Sequence, residues 1–249
     1  MSELLVDRSD GVLRLTLNAP QFRNAVDTPL LHALADEILD DTTPRVAILR
    51  GADGSFCAGA RLSSSGPNPG FLDAAHRLVE ALTSAPFPVI AAVDGPTAGV
   101  GCSIAYAADL VVAAQRSYFL HAFVRIGLMP DGGGAELMAA SLGRARALWL
   151  ALTGARLAAE DAFTMGLIGA CVPDDDFDAT VEGLVDQLAT GPTLGLAQTK
   201  AAINQASIPT LAATFDFENS AQTALLASDD YAEGVAAFLA KRTPRFQGR

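Results

Sequence analysis

The sequence contains few cysteines, and their placement excludes two common stabilising devices. Three cysteines occur in 249 residues, Cys57, Cys102 and Cys171, with no Cys-x-x-Cys pair and no histidine cluster beside them. An odd and widely spaced set of this kind argues against a disulfide framework and against a zinc site. We therefore expect no bound metal and a reducing compartment, the cytoplasm.

Long apolar runs and an excess of positive charge are also missing. Half of the residues are hydrophobic, yet no run reaches the roughly 18 residues that a membrane span needs. The N-terminal residues 1–4 carry no basic region before an apolar core, so we expect no secretory signal peptide. A net charge of −11 lacks the basic field that attracts nucleic acid. These absences predict neither a membrane nor a nucleic-acid partner, but a phosphorylated small ligand needs only a local basic patch.

Strand-like and helix-like segments alternate over the first part of the chain. An Asp-Gly pair at residues 10–11 separates two apolar runs and predicts a β-hairpin. A helix is expected to follow, with Thr28 as its cap and Pro29 in its first turn. Strands alternating with helices predict βαβ units and a mainly parallel sheet. The sequence thus indicates an α/β core over residues 1–190 and a helical lobe over residues 191–249.

Two glycine-rich turns each follow an apolar, strand-like run. The first has the sequence FCAGARL at residues 56–62, and the second has the sequence DGPTAGVGC at residues 94–102. Small residues after a buried strand let another molecule approach the backbone closely. Two such turns brought together can aim two backbone N–H groups at one oxygen atom, which is the geometry that stabilises an oxyanion. The two turns together favour a catalytic site over the alternative that each is only a tight connection between a strand and a helix.

This pair of turns resembles the crotonase (enoyl-CoA hydratase/isomerase) superfamily, and the resemblance continues through most of the chain. It implies a spiral core of repeated ββα units, an acyl-CoA substrate of fatty-acid or related metabolism, and no separate cofactor. It also implies a C-terminal helical lobe that assembles a homotrimer or a dimer of trimers. The peptide N–H groups of Ala60 and Val100 would then form the oxyanion hole. Val100 stands where most relatives have glycine.

The two glutamates with which hydratases of this superfamily activate water are missing at the matching positions. Ser103 and Phe123 stand there instead. A phenyl ring cannot accept a proton, and a serine hydroxyl is a poor base without a partner. The pattern therefore argues against ordinary two-glutamate hydration.

One carboxylate does match the superfamily. Asp131 stands where several isomerase-type relatives present a single carboxylate to the acyl chain, and one base can remove a proton at one carbon and return it at another. The alternative is that Asp131 only caps a helix that begins near Gly132. His121, two residues before Phe123, is expected to share a strand face with it and is either a replacement base or, as we favour, a structural histidine.

The same resemblance assigns CoA contacts to an early loop and to the C-terminal tail. A guanidinium in the early loop suits a phosphate. Composition alone leaves two alternatives for the tail, a basic patch that meets a phosphorylated ligand or a frayed terminus. Residues 63–69, rich in serine, glycine and proline, are expected to form a lid over the ligand. The implied CoA-binding residues are Arg23, Ala25, Ala58, Ala60, Lys241 and Phe246.

Three functions remain open on the sequence. The favoured one is an enoyl-CoA isomerase that shifts a double bond with Asp131 as its single carboxylate. The second is an enoyl-CoA hydratase with atypical catalytic residues, Asp131 or His121. The third is a non-catalytic acyl-CoA-binding protein.

Overall fold

The computed structural model describes residues 2–62 and 70–249, so the lid predicted for residues 63–69 lies outside the described residues. The strands are β1 (Leu4–Ser9), β2 (Val12–Leu17), β3 (Val46–Gly51), β4 (Val89–Val93), β5 (Pro96–Ala98), β6 (Leu110–Ala114), β7 (Tyr118–Leu120), β8 (Arg156–Ala158) and β9 (Ala170–Val172). The α-helices are α1 (Thr28–Leu39), α2 (Phe71–Ser84), α3 (Val100–Ala107), α4 (Gly134–Leu142), α5 (Arg144–Thr153), α6 (Ala159–Thr164), α7 (Phe177–Ala189), α8 (Thr193–Ser207), α9 (Leu211–Leu226) and α10 (Asp229–Leu239). Short 3-10 helices cover Pro20–Phe22, Ala122–Ile126 and Asp174–Asp176.

The main sheet has the strand order β1-β2-β3-β4-β6-β9. β1 and β2 form the predicted antiparallel hairpin, and every other neighbouring pair in this sheet is parallel. β3 and β4 read as almost continuous apolar runs because strands inside a parallel sheet are buried on both faces. The predicted α/β class with a mainly parallel sheet is therefore confirmed.

A second sheet of three strands, in the order β5-β7-β8, brings the glycine-rich turns into position. β5 pairs with β7 in parallel, and β7 pairs with β8 in antiparallel fashion. β5 lies within the second glycine-rich turn and ends at Ala98, directly before Gly99, and an isolated bridge joins its Thr97 to Cys57 of the first turn. The orders β1-β2-α1 and β4-β5-α3 are the expected ββα units.

The core lies on both faces of the main sheet. Alternate residues of a strand point to opposite faces, so Leu13 and Leu15 face a large cluster that includes α1, α2 and α3. Val12, on the other face of the same strand, belongs to a smaller cluster with Val181 and Val185 of α7. This layering leaves the ends of β3 and β4, where the glycine-rich turns begin, at one edge of the sheet.

Two local predictions were wrong. The side chain that caps α1 is Asp27, not Thr28, and it accepts a hydrogen bond of 3.1 Å from the N–H of Leu30. Pro29 stands in the first turn as predicted and has no N–H, so the cap bonds to the next residue. Residues 122–126 form a 3-10 helix, so His121 and Phe123 do not share a strand face.

The C-terminal helices are tied to the core by buried polar contacts. The ammonium group of Lys200, on α8, donates to the carbonyl of Leu82 at 2.6 Å and lies 2.9 Å from the carboxylate of Asp109.

The division into residues 1–190 and 191–249 stays a prediction. Across residues 2–62 and 70–249, no helix combines the length and apolar character that crossing a bilayer requires. The same residues contain no group of three or more potential metal ligands.

Candidate active site

The two glycine-rich turns lie against each other. The N–H of Ala98 donates to the carbonyl of Cys57 at 2.8 Å, which joins the second turn to the first. Gly59 has a φ of +96°, and a Cβ on it would lie 2.8 Å from the carbonyl oxygen of Ala98 and 3.5 Å from the Cα of Gly99. Only glycine accommodates both this dihedral angle and this close approach. The structure therefore confirms the prediction that the two glycine-rich turns lie together.

The peptide N–H groups of Ala60 and Val100 both lie at this junction. Val100 is the first residue of α3, so its N–H has no acceptor within the helix, and it stands at the positive end of the helix dipole. Around Ala60, the bridge to Val26 uses the carbonyl of Gly59 and the N–H of Arg61, at 2.9 and 2.8 Å. The N–H of Ala60 itself points to the other side of the extended chain. Neither amide has a hydrogen-bond partner among the described residues, so both can bind an external oxygen.

Asp131 lies beside the start of α3. The hydroxyl of Ser103, on α3, donates to the backbone carbonyl of Asp131 at 2.6 Å. A Cβ on the next residue, Gly132, would lie 3.2 Å from the Cβ of Ser103 and 3.4 Å from Cγ2 of Val100. Ser103 therefore fixes the segment that carries the carboxylate against the first turn of α3, beside the Val100 side chain.

The carboxylate of Asp131 is buried and only half satisfied. Its Oδ2 accepts a hydrogen bond of 3.2 Å from Nε2 of Gln222, and its Oδ1 has no partner among the described residues. Burial, followed by the negative charge of Glu218, raises the pKa of Asp131 to about 7, against the opposing effect of the Gln222 hydrogen bond. The alternative that Asp131 caps a helix is wrong, because α4 begins at Gly134 without a side-chain cap.

Sequence reasoning missed three residues beside Asp131, namely His76, Glu218 and Gln222. Glu218 is fully buried on α9, accepts the N–H of Gly133 at 3.1 Å and lies 2.8 Å from Nε2 of His76 on α2. The signal available in the sequence was the four-residue spacing of Glu218 and Gln222, which puts both on one helix face. Their partners are distant in sequence, so that spacing alone does not identify them.

Phe123 and His121 lie near the second turn without any polar contact. The Cζ of Phe123 is 3.9 Å from the position that a Cβ on Gly99 would take. Both ring nitrogens of the buried His121 lack a hydrogen-bond partner among the described residues, and its ring stacks on Tyr106 at 5.7 Å. Burial lowers the pKa of His121 to about 4, so this imidazole is neutral at pH 7.

The early loop lies against the first glycine-rich turn. The N–H of Ala58 donates to the carbonyl of Arg23 at 3.0 Å, and the guanidinium of Arg61 donates to the carbonyl of Ala25 at 3.3 Å. Arg23 ends a 3-10 helix in the left-handed conformation, with a φ of +52°. Four of the predicted CoA-binding residues, Arg23, Ala25, Ala58 and Ala60, are therefore neighbours.

The C-terminal tail is folded onto α10, so the frayed-terminus alternative is wrong. Glu233 accepts two hydrogen bonds from the guanidinium of Arg242, at 2.6 and 2.7 Å, and one from the N–H of Arg245. The bonds from Arg242 and the Arg245 N–H lower the pKa of Glu233 to about 2. Lys241 and Phe246 are exposed, and across residues 2–62 and 70–249 neither is joined to the early loop by a hydrogen bond or ion pair.

Comparison with solved structures identifies the fold. An enoyl-CoA hydratase from Mycobacterium avium subsp. paratuberculosis K-10 is 40% identical with a TM-score of 0.94, and the match covers 99% of each chain. An enoyl-CoA hydratase/isomerase from Pseudoalteromonas atlantica T6c is 30% identical with a TM-score of 0.89, over 99% of this chain and 100% of that chain. The fold is therefore the crotonase fold.

Sequence comparison gives the same family. The enoyl-CoA hydratase/isomerase family model matches residues 7–249. The 1,2-epoxyphenylacetyl-CoA isomerase of Escherichia coli K12 is 41% identical over the whole of both chains. A probable enoyl-CoA hydratase of Rhodobacter capsulatus is 38% identical, over 97% of this chain and 96% of that protein. The chain belongs to the enoyl-CoA hydratase/isomerase family, with which binding of an acyl-CoA is consistent.

Proposed function

We propose that this protein is an enoyl-CoA isomerase that moves a carbon–carbon double bond with one carboxylate, Asp131. One observation carries the proposal: a buried carboxylate, with one oxygen bonded to Gln222 and the other without a partner among the described residues, belongs to the segment that packs on the first turn of α3. Because α3 begins with the Val100 amide, the base and an amide that can hold the enolate oxygen would belong to one site.

The reaction then needs only a proton transfer out and back. The N–H groups of Ala60 and Val100 bind the thioester oxygen of a 3-enoyl-CoA, and Asp131 removes a proton from C2. The electron pair of the C–H bond spreads over the dienolate, whose negative oxygen the two amides stabilise. The carboxylic acid returns its proton to C4, the double bond now joins C2 and C3, and Asp131 is again ionised.

The pKa of Asp131 suits this role. A general base is most effective when its pKa lies near the working pH, and burial brings the pKa of this carboxyl to about 7. An ordinary aspartate, with a pKa near 3.8, is a much weaker base. Desolvation therefore strengthens Asp131 as the proton acceptor.

The neighbouring carboxylate, that of Glu218, is not free to act as a second catalytic group. Glu218 accepts the N–H of Gly133 with both oxygens and is bonded through one of them to His76. Addition of water by two carboxylates needs a second group that is free to hold that water. The arrangement supports isomerisation, in agreement with the similarity to the isomerase of E. coli.

Similar hydratases favour a second candidate, an enoyl-CoA hydratase with atypical residues. Besides the R. capsulatus protein, a 2,3-dehydroadipyl-CoA hydratase of E. coli is 35% identical over the whole of both chains. The similarity to 1,2-epoxyphenylacetyl-CoA isomerase also supports a ring-bearing acyl group as substrate. Both candidates, the isomerase and the hydratase, would bind a CoA ester, for which we propose the binding residues Arg23, Ala25, Ala58, Ala60, Lys241 and Phe246.

We also propose a homotrimer or a dimer of trimers. On α5, Trp149 and Leu152 are each 68% exposed, and a neighbouring subunit would remove this apolar surface from water. Leu150 on the same helix is buried in the core and is not available. Sedimentation of the purified protein tests the assembly: a monomer would contradict it.

The test of the reaction compares two aspartate variants. Purified protein is incubated with 3-enoyl-CoA, 2-enoyl-CoA and 1,2-epoxyphenylacetyl-CoA, and products are identified by mass spectrometry and NMR. Asp131→Asn should lower isomerase kcat by about 10²- to 10⁴-fold, the range for loss of a general base. Asp216→Asn, which removes an exposed carboxylate from α9, is the matched control.

Three results would contradict the proposal. Full isomerase activity in Asp131→Asn removes the mechanism, and hydration of 2-enoyl-CoA as the main activity favours the hydratase. Tight binding of CoA esters without turnover of any substrate favours the non-catalytic alternative.

A further inference from the structure

Helix α9 presents two buried polar side chains to the segment that carries Asp131. Glu218 and Gln222 are four residues apart, are at most 1% exposed, and both bond to residues 129–133. Polar groups this deeply buried are costly unless they are hydrogen-bonded. Their partners therefore define what each contributes to the site.

The backbone of Met129 determines the orientation of the Gln222 amide. Oε1 of Gln222 accepts the N–H of Met129 at 3.2 Å, and Nε2 donates to the carbonyl of Met129 at 3.0 Å. An inverted amide would place oxygen against oxygen and nitrogen against an N–H group, so these two bonds exclude it. The second N–H of Nε2 is then aimed at Asp131 and meets Oδ2 at 3.2 Å.

This contact makes the two oxygens of Asp131 inequivalent. Oδ2 is held by a fixed donor, whereas Oδ1 is buried with no partner among the described residues. We propose that Gln222 is a positioning residue for the isomerase reaction: it holds Oδ2 of Asp131, so that Oδ1 is the atom that removes and returns the proton. This inference rests on the proposed role of Asp131.

Glu218 acts on the same carboxylate in the opposite direction. It is the charged group that faces Asp131 from α9, and His76 of α2, stacked on Phe215 at 4.3 Å, lies behind it. The negative charge of Glu218 favours the protonated form of Asp131, whereas the hydrogen bond from Gln222 favours the ionised form. The helix thus carries two opposing influences one turn apart.

Because Gln222 and Glu218 have opposite effects on the pKa of Asp131, substitutions of the two residues should shift that pKa in opposite directions. A purely structural role of Gln222 predicts no such shift. Gln222→Met should raise the pKa of Asp131, because the donor to Oδ2 is lost. Glu218→Gln should lower it, because the adjacent charge is removed. Both pKa values are read from the pH titration of the Asp131 carboxyl carbon by ¹³C NMR of the full-length protein, without substrate.

Kinetics supply the second readout, with 3-enoyl-CoA as substrate. Gln222→Met should lower kcat by about 10- to 100-fold while KM changes about twofold or less, because misorientation of a reacting group affects the transition state more than binding. Thr223→Ala on the same helix is the control, since among the described residues that exposed hydroxyl bonds only to the carbonyl of Asn219. Its kcat and its Asp131 titration should equal those of the unchanged protein.

The outcomes separate this proposal from the proposed function. If Asp131→Asn abolishes isomerisation but Gln222→Met leaves both kcat and the Asp131 titration unchanged, the positioning role is wrong and the function of Asp131 stands. If Asp131→Asn retains full activity, the proposed function fails, and the positioning role fails with it even where the titration shifts. Should Gln222→Met not fold, Gln222→Asn keeps a neutral amide that is one methylene too short to reach both Met129 and Asp131, and an unchanged kcat in that variant would overturn the proposal.

Discussion

The contact between the two glycine-rich turns predicts a large effect of one added methyl group. In Gly59→Ala, the new Cβ would lie 2.8 Å from the carbonyl oxygen of Ala98, and the turns must separate by roughly 0.6 Å to reach the ordinary contact distance of 3.4 Å. The φ of +96° adds backbone strain of about 1–3 kcal/mol. Both effects displace the N–H groups of Ala60 and Val100 from a shared oxygen.

The chain offers a control glycine that also has a positive φ. Gly54 also has a positive φ, +68°, but a Cβ on it meets nothing within 4 Å. Gly54→Ala should therefore lose stability through the dihedral angle alone and retain kcat within about twofold, since its turn touches no reacting group. The comparison isolates the contact between the turns from the strain of a left-handed residue.

The assay is isomerisation of 3-enoyl-CoA at saturating substrate, together with urea unfolding of both variants. Loss of one oxyanion-hole donor typically costs about 10²- to 10³-fold in kcat, so we expect Gly59→Ala to fall by about 10²-fold. Equal kcat in the two alanine variants would refute the reasoning, because the pairing of the turns would then have no part in catalysis.

Three further perturbations follow from the same contacts. kcat should rise between pH 5 and 8, because Asp131 becomes an ionised base above its pKa of about 7. That folded-state pKa exceeds the unfolded value of 3.8, so stability decreases as the pH rises from about 4 to about 7, and Asp131→Asn should raise Tm more at pH 8 than at pH 5. Lys200→Met should cost about 3 kcal/mol in urea unfolding, since Asp109 loses its buried partner; a further Asp109→Asn should recover part of it. Ser103→Ala should cost about 1 kcal/mol in the same assay and should lower kcat, because the Asp131 segment loses its bond to α3.

The parts of the fold that the sequence predicted are those with strong local signals. The Asp-Gly pair predicts the hairpin, and the apolar runs predict β3 and β4, from only a few residues each. β8 has only three residues, too few to display a period of two, and was missed. Asp27 and Thr28 are both residue types that suit a helix cap, so the sequence alone does not distinguish the actual cap, Asp27, from its neighbour.

The candidate site also contains residues that the sequence predicts and residues that it does not. The two turns and Asp131 carry recognisable sequence patterns, and the structure brings them together at the start of α3. Glu218 and Gln222 lie on a helix whose polar residues look like an ordinary solvated face. Their burial becomes visible only when α9 is packed on residues 129–133, a contact across some 90 residues of chain.

The central claim is that one carboxylate removes a proton and returns the same proton. The most direct measurement uses 3-enoyl-CoA with deuterium on C2 and locates the label in the 2-enoyl product by NMR and mass spectrometry. Because Asp131 is 5% exposed, exchange of its proton with water should be slow, and deuterium should appear at C4. Complete loss of the removed deuterium to water at early turnover, or a 3-hydroxyacyl product in its place, would contradict the account.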